Sequence, residues 1–495
     1  MQLKAPLYAQ LELTYGCNLA CSHCLNDPRY DSSSGKTEFV QIKRERVEIE
    51  RVQRVAERLA DWEIFSATLT GGEPLTVKRR AFAALEVLRS RGISVDMNSN
   101  LALMTPDLAR EFAERGLTAV LTSIASHDAA MHDAKMGKIG SLERTSRGIQ
   151  AAKGAGLYIS SNMVVAKDNF DQVHETGRYV AELGADAFCI SPLTPSRSGR
   201  TVQLPLVLNE QQMLSALEQL ADVEEEFGLR TRLLQPLPHC FLNPYPRLRK
   251  YMSGGCDAGD GYISLDPFGN VKPCAQIPDV HGNILEHDLN EIWARMQDYH
   301  TGKLVPKECT GCDAISACSG GCRAESERRV GSMASPHPFM KGPLRAEIGA
   351  YRSLDLVGRH LHVVPGLRSR KETDTVHIVK GTASNYVAVD ETTLLLIGEI
   401  DGRGGLTITS DLSEEPEFCA AAQHLIENNV LQFVNNAPVR STSGLALLEA
   451  IRNAQNRQLG VRPTLLCECY EIDPGCYTQP AQRYAKSNIH RESGK

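Results

Sequence analysis

The stretch LELTYGCNLACSHC, residues 11–24, runs from a β-like segment straight into three cysteines, Cys17, Cys21 and Cys24, spaced CX3CX2C. A loop at a strand end can fold such thiols round one metal centre, and their number decides which kind. A structural zinc site closes with four ligands. Three thiolates on a cubane [4Fe–4S] cluster instead leave one iron open to bind a small molecule. The missing fourth ligand is therefore the chemically informative feature.

Outward from this loop, short β-rich runs alternate with helical ones as far as about Leu193, the pattern of a parallel sheet with helices outside it. LELTY, FSATLT, ISVDMN, AVLTSI, YISSNMVV and AFCIS read as strands. Val47, Val52, Val55, Ala56 and Leu59 recur at helical spacing, and helices are expected onward from Arg79, Pro106, Leu142 and Phe170. The result is an α/β fold of roughly six βα units, a partial (β/α)6 TIM-like barrel. No GxGxxG opens a helix after the first strand, which argues against a dinucleotide fold.

Composition narrows the function classes. The chain has 495 residues, 42% hydrophobic and 23% charged, enough for two or three globular cores. Its net charge is only −6 and no run of five or six like charges occurs, so no nucleic-acid partner is expected. The amino terminus has no cleavable leader pattern and nowhere do about 18 apolar residues run together, so the expectation is a cytoplasmic protein without a membrane partner. Fifteen cysteines in that compartment point to metal rather than to a disulfide framework. Three lie near the start, six between Cys256 and Cys322 and three near the end, while Cys189, Cys240 and Cys419 stand alone.

After the second strand comes Gly71-Gly72-Glu73-Pro74, in TLTGGEPL. With the CX3CX2C array it resembles the radical S-adenosylmethionine (SAM) superfamily. The resemblance implies that Cys17, Cys21 and Cys24 hold a [4Fe–4S] cluster whose open iron is chelated by the amino and carboxylate groups of SAM. Reductive cleavage of SAM then gives a 5′-deoxyadenosyl radical, which takes hydrogen from the substrate. The GGEP turn would receive the SAM amino group through a backbone carbonyl and Glu73, the two glycines allowing close approach. His23 stands where the family places an aromatic against adenine. Asn98, Ser99 and Asn100, in MNSNLAL, resemble the family's strand end near the ribose. Ser123 and Lys135, in TSIASHDAAMHDAKMG, match positions that touch SAM in related maturases, although Lys135 lacks the arginine fork usual there. Ser161 and Asn162, in YISSNMVV, would face the barrel mouth. A zinc loop is the alternative reading of the three cysteines.

Farther on, Cys256, Gly269-Asn-Val-Lys-Pro-Cys274, Cys309-Thr-Gly-Cys312, Cys318 and Cys322 spell CX12GX4C followed by CX2CX5CX3C. This resembles the SPASM domain of peptide and protein maturases, which implies one or two auxiliary [4Fe–4S] clusters. Cys256, Cys274 and Cys322 would serve the first and Cys309, Cys312 and Cys318 the second. The family's seventh cysteine, expected shortly after the CX3C, is missing from SERRVGSMASPHPFMKG. The second cluster is then left with an open iron, with Asp313 or His337, or with a distant thiol. Cys240, in LPHCF, is a candidate for completing the first cluster, a buried apolar cysteine being the other reading. A zinc ribbon is the alternative for the region. Cys467, Cys469 and Cys476, in LLCECYEIDPGC, have no assigned role.

Between Val376 and Val434, VHIVKG and YVAVD read as a hairpin, followed by LLLIGEIDG and the apolar helix AAAQHLIENNVLQF. This resembles the winged-helix unit with which maturases of ribosomal peptides bind a leader peptide as an added strand, and VHIVKG or a neighbour would be the docking edge. A generic α+β cap is the alternative. The expected organisation is thus a barrel over residues 1–234, an auxiliary cluster domain over 235–345, a peptide-recognition domain over 375–436 and a Cys-bearing extension over 437–495, with a helix from about Gly444 to Asn456.

The leading expectation is a radical SAM/SPASM oxidoreductase that installs a thioether, a carbon-carbon crosslink or an epimerised centre in a precursor peptide, fed electrons by a reductant such as flavodoxin or ferredoxin. Two alternatives stay open. One is oxidation of a protein side chain in the manner of sulfatase maturases. The other is a non-catalytic iron-sulfur or zinc-binding interaction protein, against which the GGEP turn argues.

Overall fold

Apolar residues at alternating positions make one face of each early run a core face, and in the computed structural model these runs pair in chain order. The structure describes residues 3–25, 30–31, 38–39, 46–252, 254–345, 357–374, 376–380, 386–409, 412, 416–427, 430–433 and 467–470. The chain divides into two compact units, Met1–Ala346 and Glu347–Lys495. No helix among the described residues is long and apolar enough to cross a membrane.

In the first unit, β1 (Tyr8–Glu12), β2 (Ser66–Thr70), β3 (Ser94–Asn98), β4 (Ala119–Ser123), β5 (Tyr158–Val165), β6 (Ala187–Pro192) and β7 (Arg230–Leu233) pair in parallel, each with the next. The helices between them are α1 (Ile49–Asp61), α2 (Lys78–Ser90), α3 (Pro106–Glu114), α4 (Ala129–Met136), α5 (Ser141–Gly154), α6 (Val173–Glu182) and α7 (Glu210–Phe227). Local chemistry starts and stops them. Thr105 caps α3 by accepting from Leu108 N at 3.2 Å, with Pro106 in the first turn. Asp128 caps α4 by accepting from Met131 N at 2.8 Å, and Gly137, at φ +65°, ends it. The six expected strands are all present, although the first begins at Tyr8 and stops at Glu12, before the cysteines.

The parallel register sorts the two faces of the sheet. Ile159, Ser161 and Met163 of β5 align with Val120 and Thr122 of β4 and with Phe188 and Ile190 of β6, all buried. This is the helix side, because a Cβ on Gly177 of α6 would lie 3.1 Å from the Phe188 ring. The opposite face carries Asn98, Ser123, Ser160 and Asn162, and Asn162 Nδ2 donates to Ser191 Oγ at 3.1 Å. Ser161 therefore sits on the core side, a correction to the expectation that it faces the barrel mouth, whereas Asn162 is on the polar face.

Beyond β1 the sheet continues with three strands hidden in the cysteine-rich region. β8 (Tyr262–Leu265) runs parallel to β1, and β9 (Asn270–Lys272) and β10 (Gly282–Asn283) follow antiparallel, so the order is β10-β9-β8-β1-β2-β3-β4-β5-β6-β7. Strand pairing therefore organises part of that region. Tyr8 and Tyr262 stack with centroids 4.7 Å apart, and Lys272 Nζ reaches Glu12 Oε1 at 2.6 Å in a buried ion pair joined by Ser264. After β10, α8 (Arg323–Val330) starts directly behind Cys322.

The second unit contains β11 (His360–Val363), β12 (Arg368–Lys371), β13 (Val376–Lys380), β14 (Tyr386–Asp390), α9 (Glu391–Gly402), β15 (Leu406–Thr407), α10 (Pro416–Glu427), β16 (Leu431–Phe433) and β17 (Cys467–Tyr470). Its sheets run β12-β13-β14-β17 and β15-β11-β16. The expected hairpin is β13 with β14, and LLLIGEIDG is helical within α9. VHIVK is not an edge, however. Among the described residues β12 pairs with β13 on its outer side and is itself a sheet edge. Val379, Val387, Val389, Leu396, Ile400, Phe418 and Leu425 form the core. The helix expected near Gly444 and the thiol of Cys476 lie outside the described residues.

Replacing Lys272 by Met leaves the Glu12 carboxyl buried without its cation. Urea unfolding of Lys272→Met is expected to show a loss of about 3 kcal/mol, and the double variant Glu12→Gln/Lys272→Met is expected to recover much of it, since removing both members of a buried pair costs far less than stranding one.

Candidate functional site

The first cysteine loop has no regular structure of its own, so its neighbours must place it. On one side, Gly72 N donates to Thr14 O at 2.6 Å and Glu73 N to Gly16 O at 2.9 Å, extending the β1-β2 ladder into the loop. Gly71 has φ +134°, and a Cβ on either glycine would collide with the carbonyl oxygens of Thr14 or Gly16. On the other side, Ala20 N donates to Met136 O at 3.0 Å and Ser22 N to Lys135 O at 2.9 Å, so the end of α4 carries the loop. A Cβ on Gly137 would strike Ala20. Gln203 Nε2 donates to both Ser22 O and Cys24 O at 3.1 Å. Cys17 and Cys21 pack on Leu19, Ala125 and Met136, and Leu19 N points at Cys17 Sγ from 3.4 Å.

Glu73 is wholly buried at this junction. Oε1 accepts from Leu75 N at 2.9 Å and from Ser99 Oγ at 2.7 Å, while Oε2 accepts from Asn100 N at 2.8 Å. Burial pushes its carboxyl above the usual range and these donors oppose the shift. The carboxyl thus ties the end of β2 to the turn after β3. Pro74 opens a short 3-10 turn, Pro74–Val77. Asn100 then bridges onward, its Nδ2 donating to Asn18 Oδ1 at 2.8 Å and lying 3.9 Å from Cys17 Sγ. Gly71, Gly72, Glu73, Ser99 and Asn100 are therefore assembled round the first loop, and Asn98 and Ser123 stand on the polar sheet face beside it.

Lys135 Nζ is paired with Asp168 Oδ1 at 2.6 Å. Burial first, and then the charges of Lys135 and His132, push His23 down to about 4, so its imidazole is neutral at physiological pH. His132 is also neutral, burial holding it at about 4 while its Nδ1 accepts from Ala125 N at 3.2 Å. The sequence reading gave His132 no role, because nothing in its spacing shows that α4 carries it under the first cysteine loop.

The later cysteines fall into two sets. Cys256, Cys274 and Cys322 gather round Ala258, Ile277 and Ala324, and Gln276 N donates to Cys274 Sγ at 3.4 Å. Burial, then Cys256, pushes the Cys274 thiol up to about 12. The second set is Cys309, Cys312 and Cys318. Burial, followed by Cys318, Cys312 and Cys240, pushes the Cys309 thiol up to about 11. Cys240 thus neighbours the second set, a correction to its expected place with the first. The oxygen and nitrogen candidates are engaged elsewhere. The Asp313 carboxylate faces Arg345 at 3.7 Å. His337 Nε2 bonds Glu325 at 3.1 Å and its Nδ1 accepts from Phe339 N at 3.1 Å. Groups of soft thiols with backbone N–H groups aimed at sulfur fit iron-sulfur clusters.

Comparison with known proteins agrees with this geometry. Residues 11–180 match the model of the radical SAM superfamily and residues 256–313 that of an iron-sulfur cluster-binding domain, SPASM. An AdoMet-dependent heme synthase of Methanosarcina barkeri is 27% identical over 353 residues, covering 68% of this chain and 96% of the relative. The antilisterial bacteriocin subtilosin biosynthesis protein AlbA of Bacillus subtilis is 29% identical over 332 residues, 64% of this chain and 67% of the relative. Among solved structures, Streptococcus suis SuiB bound to precursor peptide SuiA superposes with a TM-score of 0.54 at 17% identity, over 68% of this chain and 76% of that one. Residues 11–180 are thus a radical SAM enzyme domain and residues 256–313 a SPASM domain, and the cofactors these bring are S-adenosylmethionine and iron-sulfur clusters.

Proposed function

We propose that this enzyme modifies a ribosomally made precursor peptide, forming a thioether, a carbon-carbon crosslink or an epimerised centre. The observation that carries the reading is the second unit. The heme synthase relative is matched over 96% of its own length yet accounts for only 68% of this chain. About a third of the chain thus has no counterpart there, and among the described residues the unit Glu347–Lys495 contains a four-stranded sheet with β12 as its outer strand, the kind of position to which a peptide adds as a further strand. Similarity to the subtilosin biosynthesis protein points the same way. In this reading residues 1–234 form the barrel, 235–345 the auxiliary cluster domain with β8 to β10 joined to the barrel sheet, 375–436 a winged-helix-like leader site and 437–495 an extension.

When bound, the first cluster and SAM together supply a 5′-deoxyadenosyl radical able to take hydrogen from an unactivated C–H bond. The chain's own residues do the rest. Cys17, Cys21 and Cys24 would hold the cluster by three thiolates, one fewer than its irons. The close-packed Gly71-Gly72 backbone would receive the SAM amino group, Glu73 and Ser99 keep that turn rigid, and neutral His23 would stand on the adenine side. Asn98, Ser123 and Asn162 on the polar face, with Asn100 in the turn beyond it, would bind the nucleoside, and Lys135, held by Asp168, would border it. The two sets of later thiols would hold auxiliary clusters, which would supply electron transfer with a reductant such as flavodoxin or ferredoxin. Such a thiol-rich centre suits the reducing cytoplasm. A second reading, a tetrapyrrole substrate, is favoured by the similarity to heme synthase, and it gives the second unit no task.

Three outcomes test this. Reconstituted anaerobically and given dithionite and SAM, the wild type is expected to make 5′-deoxyadenosine, and a Cys17/Cys21/Cys24→Ala variant to make none while keeping its auxiliary iron; a cluster-loaded wild type that releases no 5′-deoxyadenosine sinks the assignment of these residues. Asn162→Ala should weaken SAM binding roughly tenfold, about 1.4 kcal/mol, whereas the core-side Ser161→Ala should leave it nearly unchanged. Proline placed singly at 368, 369, 370 and 371 should lower precursor-peptide affinity at the alternate positions whose N–H points away from β13, with SAM cleavage unaltered; equal peptide binding by all four, or binding of a porphyrin in place of peptide, moves the reading to the tetrapyrrole.

A further inference from the structure

The cluster set Cys309, Cys312 and Cys318 lacks the cysteine that its family places downstream of Cys322, and the structure fills the gap from the other direction. Two segments converge on this set. The first is Pro236–Leu242, upstream of the whole cysteine-rich region. Its path is fixed at several points: Cys322 N donates to Pro236 O at 3.0 Å, a Cβ on Gly321 would lie 2.9 Å from Pro238 Cδ, and His239 N donates to Cys318 Sγ at 3.3 Å. Cys240 is the next residue, in the short helical turn His239–Leu242.

The second is the strap Phe339–Leu344, which occupies the place where the seventh cysteine is expected. Met340 Sδ lies 4.0 Å from Cys309 Sγ, Lys341 N donates to Cys240 Sγ at 3.2 Å, and Leu344 N donates to Cys312 Sγ at 3.3 Å. Phe339 stacks on Phe241, ring centroids 4.9 Å apart, which locks the strap against the turn that carries Cys240. One strap thus touches the sulfurs of Cys240, Cys309 and Cys312, while the Cys240 turn itself bonds the fourth, Cys318. Three of these four sulfurs receive a backbone N–H, the kind of contact that supports the charge of cluster thiolates.

We propose that Cys240 is the fourth thiolate of the auxiliary cluster held by Cys309, Cys312 and Cys318. This rests on the reading of that region as an iron-sulfur site. It closes the second auxiliary cluster with four protein sulfurs and staples the chain leaving β7 to the cysteine-rich region.

The test uses full-length protein in the Cys17/Cys21/Cys24→Ala background, so that only auxiliary iron is present, with iron and sulfide analysis, Mössbauer spectroscopy and electron paramagnetic resonance. Cys312→Ala is the reference for loss of the site and is expected to remove about four irons. Cys240→Ala should lose iron from the same cluster, giving a three-iron signal on oxidation that the parent lacks. Cys240→Ser, which keeps an oxygen ligand, should retain the iron with altered Mössbauer parameters. Asp313→Asn should match the parent. If Cys312→Ala removes the cluster while both Cys240 variants keep the parent's iron and spectra, the ligand assignment alone falls. If Cys312→Ala also leaves the iron content unchanged, no cluster occupies this set and the proposal falls together with the reading beneath it.

Discussion

Two backbone hydrogen bonds, Gly72 N to Thr14 O and Glu73 N to Gly16 O, lay the end of β2 along the start of the cysteine loop, and the site is built outward from them. Holding three thiols of an irregular loop in one arrangement costs conformational entropy that the loop cannot recover by itself. The ladder of β1 and β2 supplies the register, and the missing side chains at Gly71 and Gly72 let the two backbones touch. Glu73 then transmits that position sideways. Its buried carboxyl bonds Ser99 and Asn100, and Asn100 reaches back to Asn18 within the loop. Cysteine loop, glycine turn and strand end of β3 are thereby one closed circuit of hydrogen bonds, with α4 bracing it from the far side.

Much of this was legible in the sequence, and the exceptions follow from physics. The six strands from β1 to β6 are rich in apolar and β-branched residues and alternate with helices of clear period, so they stand out. β7, with the sequence RTRL, and β9, with NVK, carry too little apolar signal, and β8 follows a turn-rich stretch that reads as loop. α4 carries a narrow apolar face and reads as loop, yet it holds the first cysteine loop. Ser161 and Asn162 are adjacent in sequence, and period two puts one on each face. Only the register against Thr122 and Phe188 decides which is which. For the same reason VHIVK, the most strand-like run in the second unit, is central, and among the described residues the charged RSRK is the outer strand. Charged edges resist unwanted pairing, so the open edge of a sheet is often its least strand-like segment.

The cysteine groups show the same limit at longer range. CX2CX5CX3C contains residues of both auxiliary sets, because Cys322 turns away from Cys318 to join Cys256 and Cys274. Gly320 and Gly321, at φ +77° and +84°, make that turn. Spacing alone identifies a metal-binding run but assigns no thiol to a centre. Cys240 lies further still, with 68 residues between it and Cys309, and only the folded chain brings it to its neighbours.

The charge balance of the first auxiliary set explains why that turn is worth its strain. Arg323, directly after Cys322, is buried, and its guanidinium donates to the carbonyls of Gly320, Gly321, Leu304, Met333 and Ser335. Among the described residues no carboxylate pairs with it. A buried cation satisfied only by neutral dipoles is costly, because hydrogen bonds replace its hydration but do not cancel its charge. The anion available nearby is the thiolate of Cys256, whose ionisation Arg323 favours against the cost of burial. Cys322 also stands at the N-terminus of α8, where the helix dipole favours negative charge. A cluster held by these three thiols would, by ionising them, stabilise the arginine and the helix start together. The five carbonyls hold Arg323 across three stretches of chain, so the same event tightens the fold of the whole region.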